Sequence, residues 1–449
     1  MKHKLLHTFC LLSSVFCNAQ YTWQALPTAP QSYRFDDMFF LTPKMGWAIN
    51  PNYDSLNPIQ YGRIFKTNDG GNTWQKLIDS ANTFYRSIGF ADSLTGWVGN
   101  LADIPYISDT IPLYQTNDGG HTWFPANLPY PHPAGICGIS VVTDSIVYAY
   151  GRFYGPAAYV KTTDKGATWI YKDMSSFAGG LVDGYFFNND TGFITGKSVS
   201  NTALILSTFD GGTSWQVAYN TPNQSPEPYY EYVWKLSFPS RDTGYASVES
   251  FDSATYFLKT TDGGLTWTKK PFIPYYDEEG CGFINNSTGW IGGDYNLPTY
   301  KTTDGGDTWS VDSSFGVLTP PYEDTTGFMI NRFRRLGDSL MYASGNTIYK
   351  LQVNTTRVIE LQKQEGTLSN YPNPFKDKTT IHYYLPAGAN NTMLEVYNIT
   401  GENVFSKNIG QQSAGGHDFV FNTGLSAGLY FYSLSSNEFR LTKQMVIIQ

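Results

Sequence analysis

The chain has 449 residues, of which 15% are charged and 16% aromatic, and its formal net charge is −8. So acidic and sparsely charged a chain excludes recognition driven by phosphate electrostatics, and no nucleic-acid partner is expected. Frequent tyrosine and tryptophan suit many short, half-buried strands and also suit recognition surfaces.

The N-terminus reads MKHKLLHTFCLLSSVFCNAQ. Lys2 and Lys4, a short apolar run from Leu5 to Phe16 and the small-residue site Cys17-Asn18-Ala19 predict a secretory signal peptide over 1–19. The run falls short of the roughly 20 apolar residues a membrane span needs, and no other long apolar run follows. Lipid attachment at Cys17 is the competing reading, but Phe16 stands where such a site needs a small residue. Beyond the leader only Cys137 and Cys281 remain. An oxidising compartment permits their pairing, their wide separation in sequence argues against it, and the question stays open.

From residue 66 a nine-residue pattern recurs: KTNDGGNTW, QTNDGGHTW, KTTDKGATW, STFDGGTSW, KTTDGGLTW and KTTDGGDTW. Its tryptophans, Trp74, Trp123, Trp169, Trp215, Trp267 and Trp309, are 49, 46, 46, 52 and 42 residues apart. Periods of about 40 to 50 residues predict four-stranded propeller blades. Each copy follows a strand–turn–strand element such as IGFADSLTGWVGN or CGFINNSTGWIGG, and seven such elements occur. The last, followed by NTIYKLQV, lacks the aspartate turn. YTWQALP (21–27) resembles the NTWQKL that follows the first turn, so the first mature strand is expected to complete blade seven and close the ring. The propeller is placed at 20–353 and a linker at 354–366. Alternating apolar residues and Gly/Asn turns over 367–449 predict a small β-sandwich. The fold class is all-β.

In each turn the aspartate (Asp69, Asp118, Asp164, Asp210, Asp262, Asp304) is placed to accept hydrogen bonds from N–H groups two or three residues on. The second glycine permits a positive φ, whereas the first position tolerates Lys165. The tryptophan is able to bury roughly 200 Å² against the next blade, about 5 kcal/mol as an upper bound. A phosphate loop needs a lysine after its glycines and a helix beyond, and an EF-hand needs oxygen ligands at alternate positions; neither is present. Six copies in six blades therefore read as scaffold. The turns resemble the Asp-boxes of sialidase-type propellers, and 21–353 as a whole is similar to the photosystem II stability and assembly factor type. The resemblance implies a seven-bladed fold with the boxes on the face away from the ligand site, and no photosynthetic role.

On that opposite face, PEPYYEYVW, PFIPYYDEEG and TPPYEDTTG precede three successive inner strands. They are expected to gather Tyr229, Tyr230, Glu231, Tyr232, Tyr275, Tyr276, Asp277, Glu278, Glu279, Tyr322, Glu323 and Asp324 on one acidic, tyrosine-rich rim that binds a glycan or a protein. Solvated loops are the plainer explanation of the same residues. A glycoside hydrolase using two rim carboxylates is the enzymatic alternative, and a passive adhesion scaffold the structural one. Arg34, Arg241 and Arg332 stand outside any sialidase motif. His121, His132, His382 and His417 lack metal-ligand spacing, no G-x-S-x-G occurs, and no catalytic residue, metal or cofactor is assigned.

The last segment carries YPNPF (371–375), LEVYNITGE (394–402), GLSAGLYFYSL (424–434) and KQMVI (443–447) in order. Together they resemble the type A sorting domain of the type IX secretion system of Bacteroidetes. The resemblance implies recognition by the outer-membrane export machinery after passage through the periplasm. It also implies removal of the tail in many members, and release or surface attachment of the remainder.

Overall fold

The computed structural model describes residues 20–32, 34–52, 61–102, 107–222, 230–250, 255–274, 276–293, 297–316, 329–337, 339–354, 366–385, 387–436 and 440–448. The expected leader and most of the expected linker lie outside them. The strands from Gln20 to Asn354 form one compact unit and those after Thr367 belong to a second. Among the described residues no helix is long and apolar enough to cross a membrane.

Seven four-stranded antiparallel sheets make the first unit. Blades one to six span 37–81, 85–125, 138–173, 178–220, 231–271 and 278–311. Blade seven combines Arg332–Leu336, Leu340–Ser344 and Ile348–Asn354 with the first strand, Gln20–Ala25. That strand pairs with Ile348–Asn354 in the register Trp23↔Leu351, which closes the ring as expected. Trp23 anchors the closure, stacked on Phe315 and edge-on to Trp290, each at 5.2 Å between ring centroids. Inner strands are sandwiched between neighbouring blades, so Tyr85–Phe90 is buried at every position. The fourth strand of each blade meets solvent, and Gln75–Ala81 alternates between half-buried and exposed.

The aspartate turn is built the same way each time. Asp262 Oδ1 accepts from the Thr260 hydroxyl (2.7 Å) and the Thr266 N–H (3.0 Å), and Oδ2 accepts from the Thr266 hydroxyl. The Gly264 N–H donates to Thr260 Oγ1 at 3.0 Å. The carboxylate thus reaches four residues ahead, further than the sequence pattern implies. Both central positions are left-handed, with φ +74° at Gly263 and +87° at Gly264. Lys165 enters the same region at φ +61°, which explains why the first position admits a side chain at all. The second does not, because a Cβ at Gly264 would overlap the Phe193 ring.

These turns bind blade to blade. Lys66 Nζ (3.2 Å) and Trp47 Nε1 (3.0 Å) of blade one both donate to the Gly119 carbonyl in the turn of blade two. Lys161 Nζ and the Tyr148 hydroxyl grip Gly211 O likewise, each at 2.7 Å, and Lys259 Nζ holds Gly305 O at 2.7 Å. Within each of the six blades that carry it, the first turn position also donates its N–H to the turn between strands one and two, as Gly70 does to Lys44 O at 2.7 Å. Both kinds of turn therefore share one face.

The second unit packs a three-stranded sheet (Thr367–Tyr371, Lys378–Leu385, Gly415–Asn422) against a four-stranded one (Asn403–Gln412, Ala389–Tyr397, Gly428–Ser435, Arg440–Ile447). Ile381, Leu385 and Phe421 from the first share a core with Leu394, Tyr432 and Met445 from the second. Cys137 and Cys281 are both free thiols, buried in blades three and six.

Hydroxyl and N–H donors hold Asp69, Asp164, Asp210, Asp262 and Asp304 at about 2. At Asp118 burial opposes the same donors and the value is again about 2. These folded values lie below the ordinary 3.8, so the stabilisation is complete above about pH 4 and is lost as pH falls toward 2. Acid unfolding followed by tryptophan fluorescence should locate the loss in that window; a decline starting near neutrality would contradict it. Gly264→Ala should cost about 3 kcal/mol, adding overlap to backbone strain. Gly337→Ala, at φ +68° with open space around it, should cost about 1 kcal/mol. Urea unfolding of the two variants separates the contributions, and equal midpoints would dismiss the overlap.

Candidate functional site

Inner strands are apolar runs interrupted by charge: YRFDD, FYRSIGF, LVDGYFF, YVWKLSF, DEEGCGF and NRFRRLG. Because these strands converge, the interruptions meet. Arg332 donates from Nε to Asp37 at 2.8 Å and from Nη1 and Nη2 to Asp183 at 2.8 and 3.2 Å. Arg334 Nη2 reaches both oxygens of Asp37 at 3.1 Å. Arg34 binds Asp36 at 2.6 Å and also Glu279, while Arg86 binds the same two carboxylates. Blades two and six, and blades four and seven, are not neighbours, so these pairs cross the axis of the ring.

Burial raises the Asp37 carboxyl, but Arg332 and Arg334 outweigh it and hold the group at about 2. Against similar burial, Arg332 keeps Asp183 and Arg34 keeps Glu279 below the usual carboxylate range. Four arginines thus match four carboxylates. Lys235 is a fifth cation in the same channel, 4% exposed. Burial, then the nearby Arg332, pushes its ammonium down to about 8. Among the described residues this ammonium has no hydrogen-bond or ion-pair partner.

At the end of the axis away from the aspartate turns, aromatic rings replace ion pairs. Tyr232 and Trp234 of blade five stack with centroids 5.4 Å apart. Phe153 of blade three packs on both and carries Tyr154 beside it. Arg86 lies 5.5 Å and Lys235 5.8 Å from the Trp234 ring. Lys197 of blade four sits 4.9 Å from Tyr230 and 5.0 Å from Tyr232. Tyr154 and Tyr230 open to solvent, at 46% and 42% exposure. At the turn-bearing end, a cavity of about 320 Å³ is floored by the Arg332–Asp183 pair and walled by Tyr185, Ser237, Phe333 and Arg334.

Of the rim residues read from the sequence, Tyr229, Tyr275, Tyr322, Glu323 and Asp324 lie outside the described residues. Tyr230 is exposed, as a rim residue must be, and Tyr232 sits just beneath it. The others turn inward, because the first residues of an inner strand are already covered by both flanking blades. Glu231 accepts from the Ala203 N–H (3.3 Å) and the Ser250 hydroxyl (3.4 Å). Tyr276 is buried against Phe272 and Tyr300 and donates to Pro298 O at 2.7 Å. Glu278 accepts from the Val248 N–H at 3.1 Å, and burial pushes its carboxyl well up. Asp277 is half-buried, with its carboxyl also raised by burial. Glu279 faces the axis. Arg34 and Arg332, without context in the sequence, turn out to be partners in the axial network, whereas Arg241 packs 4.0 Å over Phe187. Trp234 and Lys197 carry no motif; their only signal is polarity or bulk amid small apolar residues.

The depressed Lys235 value has a defined sign. The folded state disfavours the ammonium, so its penalty is fully present below about pH 8 and fades as pH rises toward the unfolded value near 10.5. Lys235→Met is therefore expected to raise stability at neutral pH by roughly 2–3 kcal/mol and to confer little above pH 10. Denaturant titrations at the two pH values test this; a loss at pH 7 would mean that the ammonium is favourably held.

Residues 369–448 match the family described as the secretion system C-terminal sorting domain. Comparison with curated proteins finds no match. Among solved structures, YCF48 bound to D1 peptide superposes with a TM-score of 0.51 at 16% identity, over 74% of this chain and 96% of that one. YCF48 from Cyanidioschyzon merolae gives 0.51 at 15% identity, over 75% of this chain and 100% of that one. At such identities the likeness speaks for the fold alone. The chain is a β-propeller followed by a sorting domain of the type IX secretion kind, which implies contact with the secretion machinery and delivery to the cell exterior.

Proposed function

We propose that this protein is a Bacteroidetes binding propeller, displayed or released outside the cell, that holds a glycan at the mouth opposite its aspartate turns. The observation that carries the reading is the aromatic path from Tyr154 through Phe153 to the Tyr232–Trp234 stack, with Tyr230 beside it. Its outer rings are solvent-facing and its inner rings are fixed by packing, which is the arrangement stacking on a sugar ring requires. Hydrolysis finds less support. The axial carboxylates are matched by arginines, so none stands ready as a proton donor, and Glu278, whose carboxyl is raised, is buried between blades five and six.

A glycan array probed with the full chain tests the binding reading. The Tyr154→Ala/Tyr230→Ala double variant should lose about tenfold or more in affinity with an unchanged unfolding midpoint, as both side chains are exposed. Unchanged retention would reject the mouth. For export, deletion of 367–449 should leave the propeller in the periplasm, and its arrival at the surface would overturn the sorting role.

A further inference from the structure

Charge at this mouth is unbalanced in a specific way. Four axial arginines are matched to carboxylates, Arg34 and Arg86 to Asp36 and Glu279, Arg332 and Arg334 to Asp37 and Asp183. Nearer the surface Arg152 lies 5.4 Å over the Tyr154 ring, and Glu249 accepts from Trp234 Nε1. Two lysines are left over. Lys197 is 8% exposed and Lys235 4%, and among the described residues neither ammonium has a hydrogen-bond or ion-pair partner. Each faces one ring of the Tyr232–Trp234 stack, Lys197 on Tyr232 at 5.0 Å and Lys235 on Trp234 at 5.8 Å. A buried ammonium without a counter-ion is costly, and the face of an aromatic ring offsets only part of that cost. Asp36 Oδ2 and Glu279 Oε2 are buried without partners in the same channel, yet neither forms a pair with either lysine.

We infer that the missing counter-ion is supplied by the ligand, and that the mouth takes a saccharide bearing carboxylate or sulfate groups. The inference rests on the mouth being the binding site. In it, Tyr154 and Tyr230 stack on the sugar rings while Lys197, the lysine nearer the surface, neutralises the acidic substituent. The flat solvent-facing rings favour a saccharide over an acidic peptide.

An array of uronate and sulfated oligosaccharides printed beside their neutral counterparts, with a polyglutamate peptide as control, reads the inference directly. Acidic oligosaccharides should bind at least tenfold more tightly than neutral ones, and weaken as NaCl rises from about 50 to 500 mM. Lys197→Met, which removes the ammonium and keeps an unbranched chain of similar bulk against the tyrosines, should abolish that preference, and Lys197→Arg should restore it. Equal binding of neutral and acidic sugars, or an unchanged preference in Lys197→Met, overturns the anionic ligand while leaving the mouth as the site. Binding of polyglutamate alone, lost in Lys197→Met, overturns the saccharide. Acidic sugars held unchanged by the Tyr154→Ala/Tyr230→Ala variant overturn the mouth itself.

Discussion

A single carbonyl at the tip of an aspartate turn is where one blade takes hold of the next, and the rest of the ring depends on that grip. Blades pack through apolar faces, which set distance but not register. The directional element is the lysine that opens the repeat, reaching with an aromatic N–H or O–H to the turn ahead, as Lys66 and Trp47 reach Gly119. To present that carbonyl the turn needs two successive left-handed residues, which its aspartate locks from behind. Where the repeat opens with Gln115 the side chain turns back to Asn117, and at that seam Lys165 of the next turn reaches back to Asp92 at 2.6 Å, beside Trp97 edge-on to Trp169. Where it opens with Ser207, Phe193 packs edge-on to Trp267. Blade seven has no aspartate turn, and there Lys301 holds Tyr21 O of the closing strand at 2.8 Å. A lysine donor thus serves three of the regular seams and the closure.

Fixing seven blades at one face forces their inner strands together, and the axis inherits whatever side chains those strands carry. Buried ion pairs are weak stabilisers, since desolvation cancels most of their attraction. An axis built from four arginines and four carboxylates is therefore tolerable because it is matched, not because it is strong. Lys235 and Lys197 break the match, and a merely structural axis would be more stable without them.

Much of this was legible in the sequence. Repeat period, blade number and closure by the first strand follow from patterns that recur, because each blade solves the same packing problem with the same residues. The tail was legible because several motifs fall in order. The mouth was legible only in part. Tyr230 is exposed, but Tyr276 and Glu278 lie two residues apart on a segment that looks like a polar loop. Their burial is decided by partners well outside the segment, Pro298 for Tyr276 and Val248 for Glu278, 22 and 30 residues away in the chain. Arg34 and Glu279 are 245 residues apart. Each is an isolated charge in an apolar strand until the ring brings them together, and no local pattern encodes that meeting.

Closure also bears on how the two units can share one polypeptide. Gln20 pairs with Asn354 at the outer edge of blade seven, so the propeller's first and last strands are hydrogen-bonded neighbours. The final propeller strand ends at Asn354, and every strand of the seven blades precedes that residue. The sorting domain has its own core, made wholly from residues from Leu368 onward. Neither unit borrows a strand from the other. Removal of the tail therefore leaves seven complete blades with the closing pair intact, and the aromatic mouth keeps every residue that forms it. A sorting domain can be appended to such a ring without becoming part of its fold.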